Sequence, residues 1–118
     1  MAFLIDPTNK SITHVESPTS LDEIYRLLSE GNQIVDTVGP YRMSATNDVL
    51  LVDEEGSYKK VRHGFKILLS DYQKGTPFML PLINKTIVVR FENEGKPDER
   101  IIETVVSLAQ LQEIVEWE

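Results

Sequence analysis

The sequence predicts an α+β fold, a mostly antiparallel sheet built from hairpins with one helix near residues 20–30 and a second helix at the C-terminus. Three observations carry this. Residues 86–92 alternate strictly, with Ile87, Val89 and Phe91 on one side and Thr86, Val88, Arg90 and Glu92 on the other, the period of a strand. Ser20 and Ser107 each stand three residues before Glu or Gln and lead into helically spaced apolar residues, the signature of a capped helix start. Short β-prone runs are separated by Pro, Asn, Asp and Gly clusters that turn the chain back on itself.

The first element is a strand over Ala2-Phe3-Leu4-Ile5. Asp6-Pro7-Thr8-Asn9 turns it into a second strand from Ser11 to Glu16, because Pro presets one turn position and Asn tolerates the left-handed one. Ser20-Leu21-Asp22-Glu23 reads as a capping box, Leu21, Ile24, Leu27 and Leu28 form the apolar stripe, and Gly31 is the expected terminator. Gln33 to Val38 reads as a strand broken at Gly39-Pro40, with extended chain resuming over Tyr41 to Ser44 before a turn at Thr46-Asn47-Asp48. Val49 to Val52 is a buried strand, and Asp53-Glu54-Glu55-Gly56 is expected to turn it into a partner at Tyr58 to Val61. Phe65 to Leu69 follows as a further extended segment, and residues 70–83, with Gly75, Pro77 and Pro81, read as a long connecting loop. After the alternating strand, Asn93 to Asp98 turns the chain toward a strand over Arg100 to Val106. Ser107-Leu108-Ala109-Gln110 caps the last helix, whose Leu108, Leu111, Ile114 and Val115 are placed to dock.

A chain of this length forms about one domain and buries roughly two-thirds of its unfolded surface, so residues 1–118 read as a single domain in which 93–118 add a hairpin and a helix. Without cysteine there is no disulfide, thiolate ligand or cysteine nucleophile, which fits the cytoplasm. No run approaches the ~20 apolar residues of a membrane span, and Ala2 to Ile5 is too short for a secretory signal. The net charge is -7, and eight acids against Lys96 and Arg100 from Glu92 onward carry -6 of it. Such a balance argues against direct nucleic-acid binding, which needs a broad cationic surface.

Against this acidity, Lys59, Lys60, Arg62 and Lys66 gather four of the twelve Lys and Arg residues into eight positions, with His63 among them. Grouped cations suit a grouped anion, because each charge-assisted hydrogen bond to a phosphate oxygen contributes roughly 1.5 to 3 kcal/mol where water is excluded. Tyr58 is placed to stack on a base or ribose, and Tyr41 with Arg42 reads either as a second stacking and phosphate-binding pair or as two exposed strand residues. The competing reading pairs the cations with Asp53, Glu54 and Glu55 of their own hairpin, at about 0.2 to 1 kcal/mol per exposed pair. Neither these acids nor His14 fits a metal or catalytic pattern, so no cofactor, metal or catalytic residue is assigned.

Ala2 to Pro7, Ile24-Tyr25, Val52 to Gly56, Gly64 to Ile67 and Pro81 to Lys85, taken in order, resemble a small uncharacterised domain family of bacteriophages and bacterial mobile elements. The likeness spans about residues 2–92; the family pattern has Gly where this chain has Asn84. It implies an accessory or host-interaction role and transfers no catalytic residue. The resulting expectation is a non-enzymatic protein of the host cytoplasm that sequesters a phosphorylated, nucleotide-derived defence signal, with a homo-oligomer joining two basic patches. The alternative is an acidic module that inhibits a host defence protein or nucleic-acid-binding protein.

Overall fold

The structure, a computed structural model, describes residues 1–29, 38–43, 46–53, 63–70 and 75–118. Its elements run β1 (Ala2–Asp6), β2 (Ser11–Val15), α1 (Leu21–Leu28), β3 (Val38–Arg42), β4 (Val49–Asp53), β5 (Gly64–Ser70), β6 (Pro77–Ile83), β7 (Thr86–Glu92), β8 (Arg100–Ile102), α2 (Leu108–Ile114) and β9 (Val115–Trp117). All the strand pairings are antiparallel, so the expected α+β class is observed.

Two sheets share the strands. The larger has the order β2-β1-β7-β4-β3, with β8 on β7, and the smaller has the order β6-β5-β9. Alternation in the larger sheet sorts its side chains into two cores. Ala2, Val49, Leu51, Ile87 and Val89 face α1, whose Ile24 and Leu28 cover them. Phe3, Ile5, Leu50, Val52 and Val88 face the smaller sheet and α2, meeting Phe65, Ile67, Leu82 and Leu111. This is why β4 is buried along its whole length: β3 and β7 occupy its two edges and each of its faces packs on a different layer. Phe91 lies on the α1 side of β7, as the alternation predicts.

Local chemistry explains the turns. Asp6 Oδ1 accepts the Thr8 and Asn9 amides at 3.0 and 3.3 Å, and Oδ2 accepts Asn9 Nδ2 at 2.8 Å, an Asx turn closing the β1–β2 hairpin. At α2 the capping box is complete: Ser107 Oγ accepts the Gln110 amide and Gln110 Oε1 accepts the Ser107 amide. At α1 only half of it forms. Ser20 Oγ accepts the Glu23 amide, but the Glu23 carboxylate reaches one residue further, to the Thr19 amide and hydroxyl. The helix also ends before Gly31, because the Ser29 amide and hydroxyl both close on the Tyr25 carbonyl while Ser29 itself turns extended; Gly31 lies outside the described residues.

Four further expectations change. β3 runs through Gly39-Pro40 without a break, which an edge strand permits because its outer side needs no amide donor. The long loop at 70–83 contains β6, paired in register with β5 from Gly64↔Ile83 to Ser70↔Pro77; again the prolines sit on a sheet edge. The strand after residue 99 stops at Ile102. Finally, α2 passes directly into β9, which pairs with β5 and sets Trp117 against Phe65 at a ring separation of 6.0 Å. The strand expected at Tyr58 to Val61 falls outside the described residues.

Candidate functional site

The start of β5 is held by one asparagine. Asn84, in the turn before β7, has φ +66, a left-handed conformation that Asn adopts more readily than most side chains. In that pose its amide donates to the His63 carbonyl at 2.7 Å and its Oδ1 accepts the His63 amide at 3.0 Å. His63 and Lys66 are exposed here. Lys66 lies in register between Pro81 of β6 and Glu116 of β9. Tyr58, Lys59, Lys60 and Arg62, the rest of the basic run, lie outside the described residues.

Tyr41 and Arg42 do not share a face. As successive residues of β3 they point to opposite faces of the sheet, Tyr41 opposite Leu50 and Arg42 opposite Val49. Tyr41 is 42% exposed, whereas the Arg42 guanidinium is already engaged: Nη2 bridges both Glu94 carboxylate oxygens at 2.6 Å, and Nη1 donates to Asn47 Oδ1 at 3.0 Å. An anion would compete with Glu94 for it. β3 and β5 also belong to different sheets, so the two sequence-derived candidate groups do not form one continuous strand surface.

The exposed ring of His14 packs on Phe3, with centroids 4.6 Å apart, beside a cleft of about 430 Å³ that Glu103 and the start of α2 also line. Neither His14 nor His63 has a side-chain hydrogen bond to a carboxylate or hydroxyl among the described residues. Within the same residues, no three metal-binding side chains converge, and no helix is long and apolar enough to cross a membrane.

Asp48 is the most demanding polar residue in the fold, and sequence reasoning passed over it as part of a turn. It is fully buried. Its Oδ1 accepts the Val105 amide at 3.0 Å, its Oδ2 accepts the Val106 amide at 2.8 Å, and Arg90 Nη1 stands 3.8 Å from Oδ1 while also donating to the Thr46 carbonyl. This clasp holds the connection between β8 and α2 and is structural.

The outer face of the smaller sheet was also missed. Leu68 and Met79, opposite each other in register, are 40% and 38% exposed. The available signal was the unbroken apolar stretch from Pro77 to Ile83, more apolar than a strand covered on one face requires. Comparison with known proteins found no matching family model, no matching curated protein and no matching solved structure.

Proposed function

We propose that the protein is a non-catalytic binding module that takes a phosphorylated, nucleotide-like ligand at the start of β5 and sequesters it, in the phage-type accessory role that the sequence resemblance implies. The observation that supports this reading is the anchoring of His63 by Asn84, with Lys66 exposed three residues further on in β5. The end of the basic run is thereby held on a strand, and a cation presented from a fixed backbone loses less freedom on binding. His63 and Lys66 join Lys59, Lys60, Arg62 and Tyr58 of the sequence in this role. Tyr41 and Arg42, on β3 of the other sheet, remain a separate candidate group, with the Arg42 guanidinium on Glu94 at the surface. A homo-oligomer would bring two such runs onto one ligand.

To test this, the protein is incubated with a nucleotide extract from defence-activated bacteria, re-purified and heat-denatured, and the released molecules are identified by mass spectrometry. An intact nucleotide released by the native protein, and lost on charge reversal of Lys60 and Arg62 with the fold retained, is the expected result. Retention by that variant would refute the site, and a processed nucleotide would indicate an enzyme.

A second reading, an acidic module that occupies a basic host protein, has its own observation. Glu113, Glu116 and Glu118 are exposed and have no ion-pair partner among the described residues, whereas Arg42, Arg90 and Arg100 are each matched to a carboxylate. Neutralising Glu113 and Glu116 together should weaken binding to a cationic peptide; unchanged binding refutes this reading.

A further inference from the structure

The smaller sheet covers the core with one face only. Phe65, Ile67 and Leu69 of β5 and Leu82 of β6 are buried on that face. On the outer face of an antiparallel sheet, alternation normally places polar residues. Here it places Pro77, Met79 and Pro81 of β6 and Leu68 of β5, all exposed. Together they make a grouped apolar surface of the kind that marks an interaction site; Phe78, opposite Leu69 in register, belongs to the other face.

The composition of that face specifies what it fits. Its β9 side is acidic: Glu116 lies beside Lys66 in register, and the Glu118 carboxylate folds over Gly64, 2.5 Å from where a Cβ would stand. The apolar strip of β6 and Leu68 is therefore flanked, beyond Lys66 of the middle strand, by the carboxylates of β9. Another strand cannot readily extend the sheet at β6, since Pro77 and Pro81 carry no amide hydrogen for a ladder. A second copy of this chain docking through this same face would bring the same carboxylates, Glu116 and Glu118, to it rather than the cations that complement them. The seven residues of β6 extend about 23 Å at ~3.3 Å each, the length of about four helical turns, and two strands together are about as wide as a helix.

We infer that the outer face of β5, β6 and β9 is a docking surface for an amphipathic, basic helix of a partner protein. Its apolar stripe would lie on Leu68, Met79 and Pro81, and its Lys or Arg residues would face Glu116 and Glu118. This rests on the second reading above, the acidic interaction module, and gives that module its apolar anchor.

The probe is a synthetic helical peptide of Leu and Lys with leucines at i, i+3, i+4 and i+7 spacing, followed by fluorescence anisotropy at physiological salt against an isomer with scrambled leucines. The patterned peptide should bind and the isomer should not. Replacing Leu68 and Met79 together by Ser should weaken binding at least tenfold, and Met79→Lys alone, at an exposed position, should do so with the urea midpoint unchanged. Glu116→Gln should weaken it several-fold and flatten its salt dependence. Equal binding of the two peptides, or binding that ignores Leu68 and Met79 while still responding to Glu116, overturns the docking face but leaves the acidic reading standing. Absence of binding to either peptide overturns both. Self-association by light scattering that the Ser variant abolishes would give the face to a second copy, and overturn the inference.

Discussion

Removing the Asp48 carboxylate should unclasp the C-terminal third of the fold. Asp48→Ala leaves two backbone amides, Val105 and Val106, without their acceptor, and leaves Arg90 without its carboxylate. A hydrogen bond to a charged group contributes roughly 1.5 to 3 kcal/mol, and breaking a buried charged contact by removing one partner costs about 3 to 5 kcal/mol. The Arg90 pair adds less, because its 3.8 Å separation is long and the arginine is partly exposed, so it is screened. The expected loss is about 4 kcal/mol, a large share of the ~5 to 15 kcal/mol that stabilises a domain. Asp48→Asn keeps the shape and one acceptor oxygen but turns a donor toward one of the amides, and should cost about 2 to 3 kcal/mol. Urea unfolding followed by Trp117 fluorescence reads both losses, since Trp117 packs on Phe65 within the core. Hydrogen exchange at Val105 and Val106 localises them. A loss under about 1 kcal/mol for the Ala variant, or unchanged exchange at those two amides, would refute the assignment of the clasp.

Thr86 is fully buried and its hydroxyl has no hydrogen-bond partner among the described residues, so Thr86→Val should raise stability by about 1 kcal/mol, read as a higher urea midpoint at unchanged slope; a lower midpoint would reveal an unseen partner. Asn84→Gly should lose about 1 kcal/mol, for the hydrogen bond to His63 alone, and Asn84→Ala about 1 kcal/mol more for the left-handed backbone; a glycine variant no more stable than the alanine variant would contradict this. The Glu23 carboxyl is held below the ordinary glutamate range by the Thr19 amide, then the Thr19 hydroxyl, with a smaller contribution from Arg26. Because the folded value is depressed, the stability it contributes is present above the unfolded value and is lost as pH falls through the folded one. Carbon-detected NMR titration should show Glu23 below the other glutamates, and Thr19→Ala should move it up; a Glu23 that titrates with the rest would refute the contact.

Much of the basic run, Tyr58 to Arg62, falls outside the described residues, so the sequence remains the ground for that part of the candidate site. What the structure altered was the role of its companions. Tyr41 and Arg42 are adjacent in sequence and read as a pair, but the two-residue period of a strand separates them. Glu94, fifty-two positions away, then takes the arginine. Its partner could not be read from its neighbours.

The elements legible in the sequence are those whose cause lies within a few residues. Asp6 turns the first hairpin, Ser20 and Ser107 start the helices, and the alternation of Thr86 to Glu92 sorts its own side chains. Hydrogen bonds over two to four residues and side-chain period are local properties, and local properties survive without knowledge of the fold. The elements decided by tertiary structure are those in which a distant segment changes what a residue can do. Pro40, Pro77 and Pro81 look like breakers until their strands are placed at sheet edges, where a missing amide costs no ladder bond. Val115 to Trp117 looks like a helix end until β5 offers an open edge. Asp48 looks like a turn residue until Val105 and Val106, fifty-seven and fifty-eight positions later, bring their amides to it. Burial makes those distant pairings obligatory, because a polar group taken out of water must find its partner wherever the chain brings one.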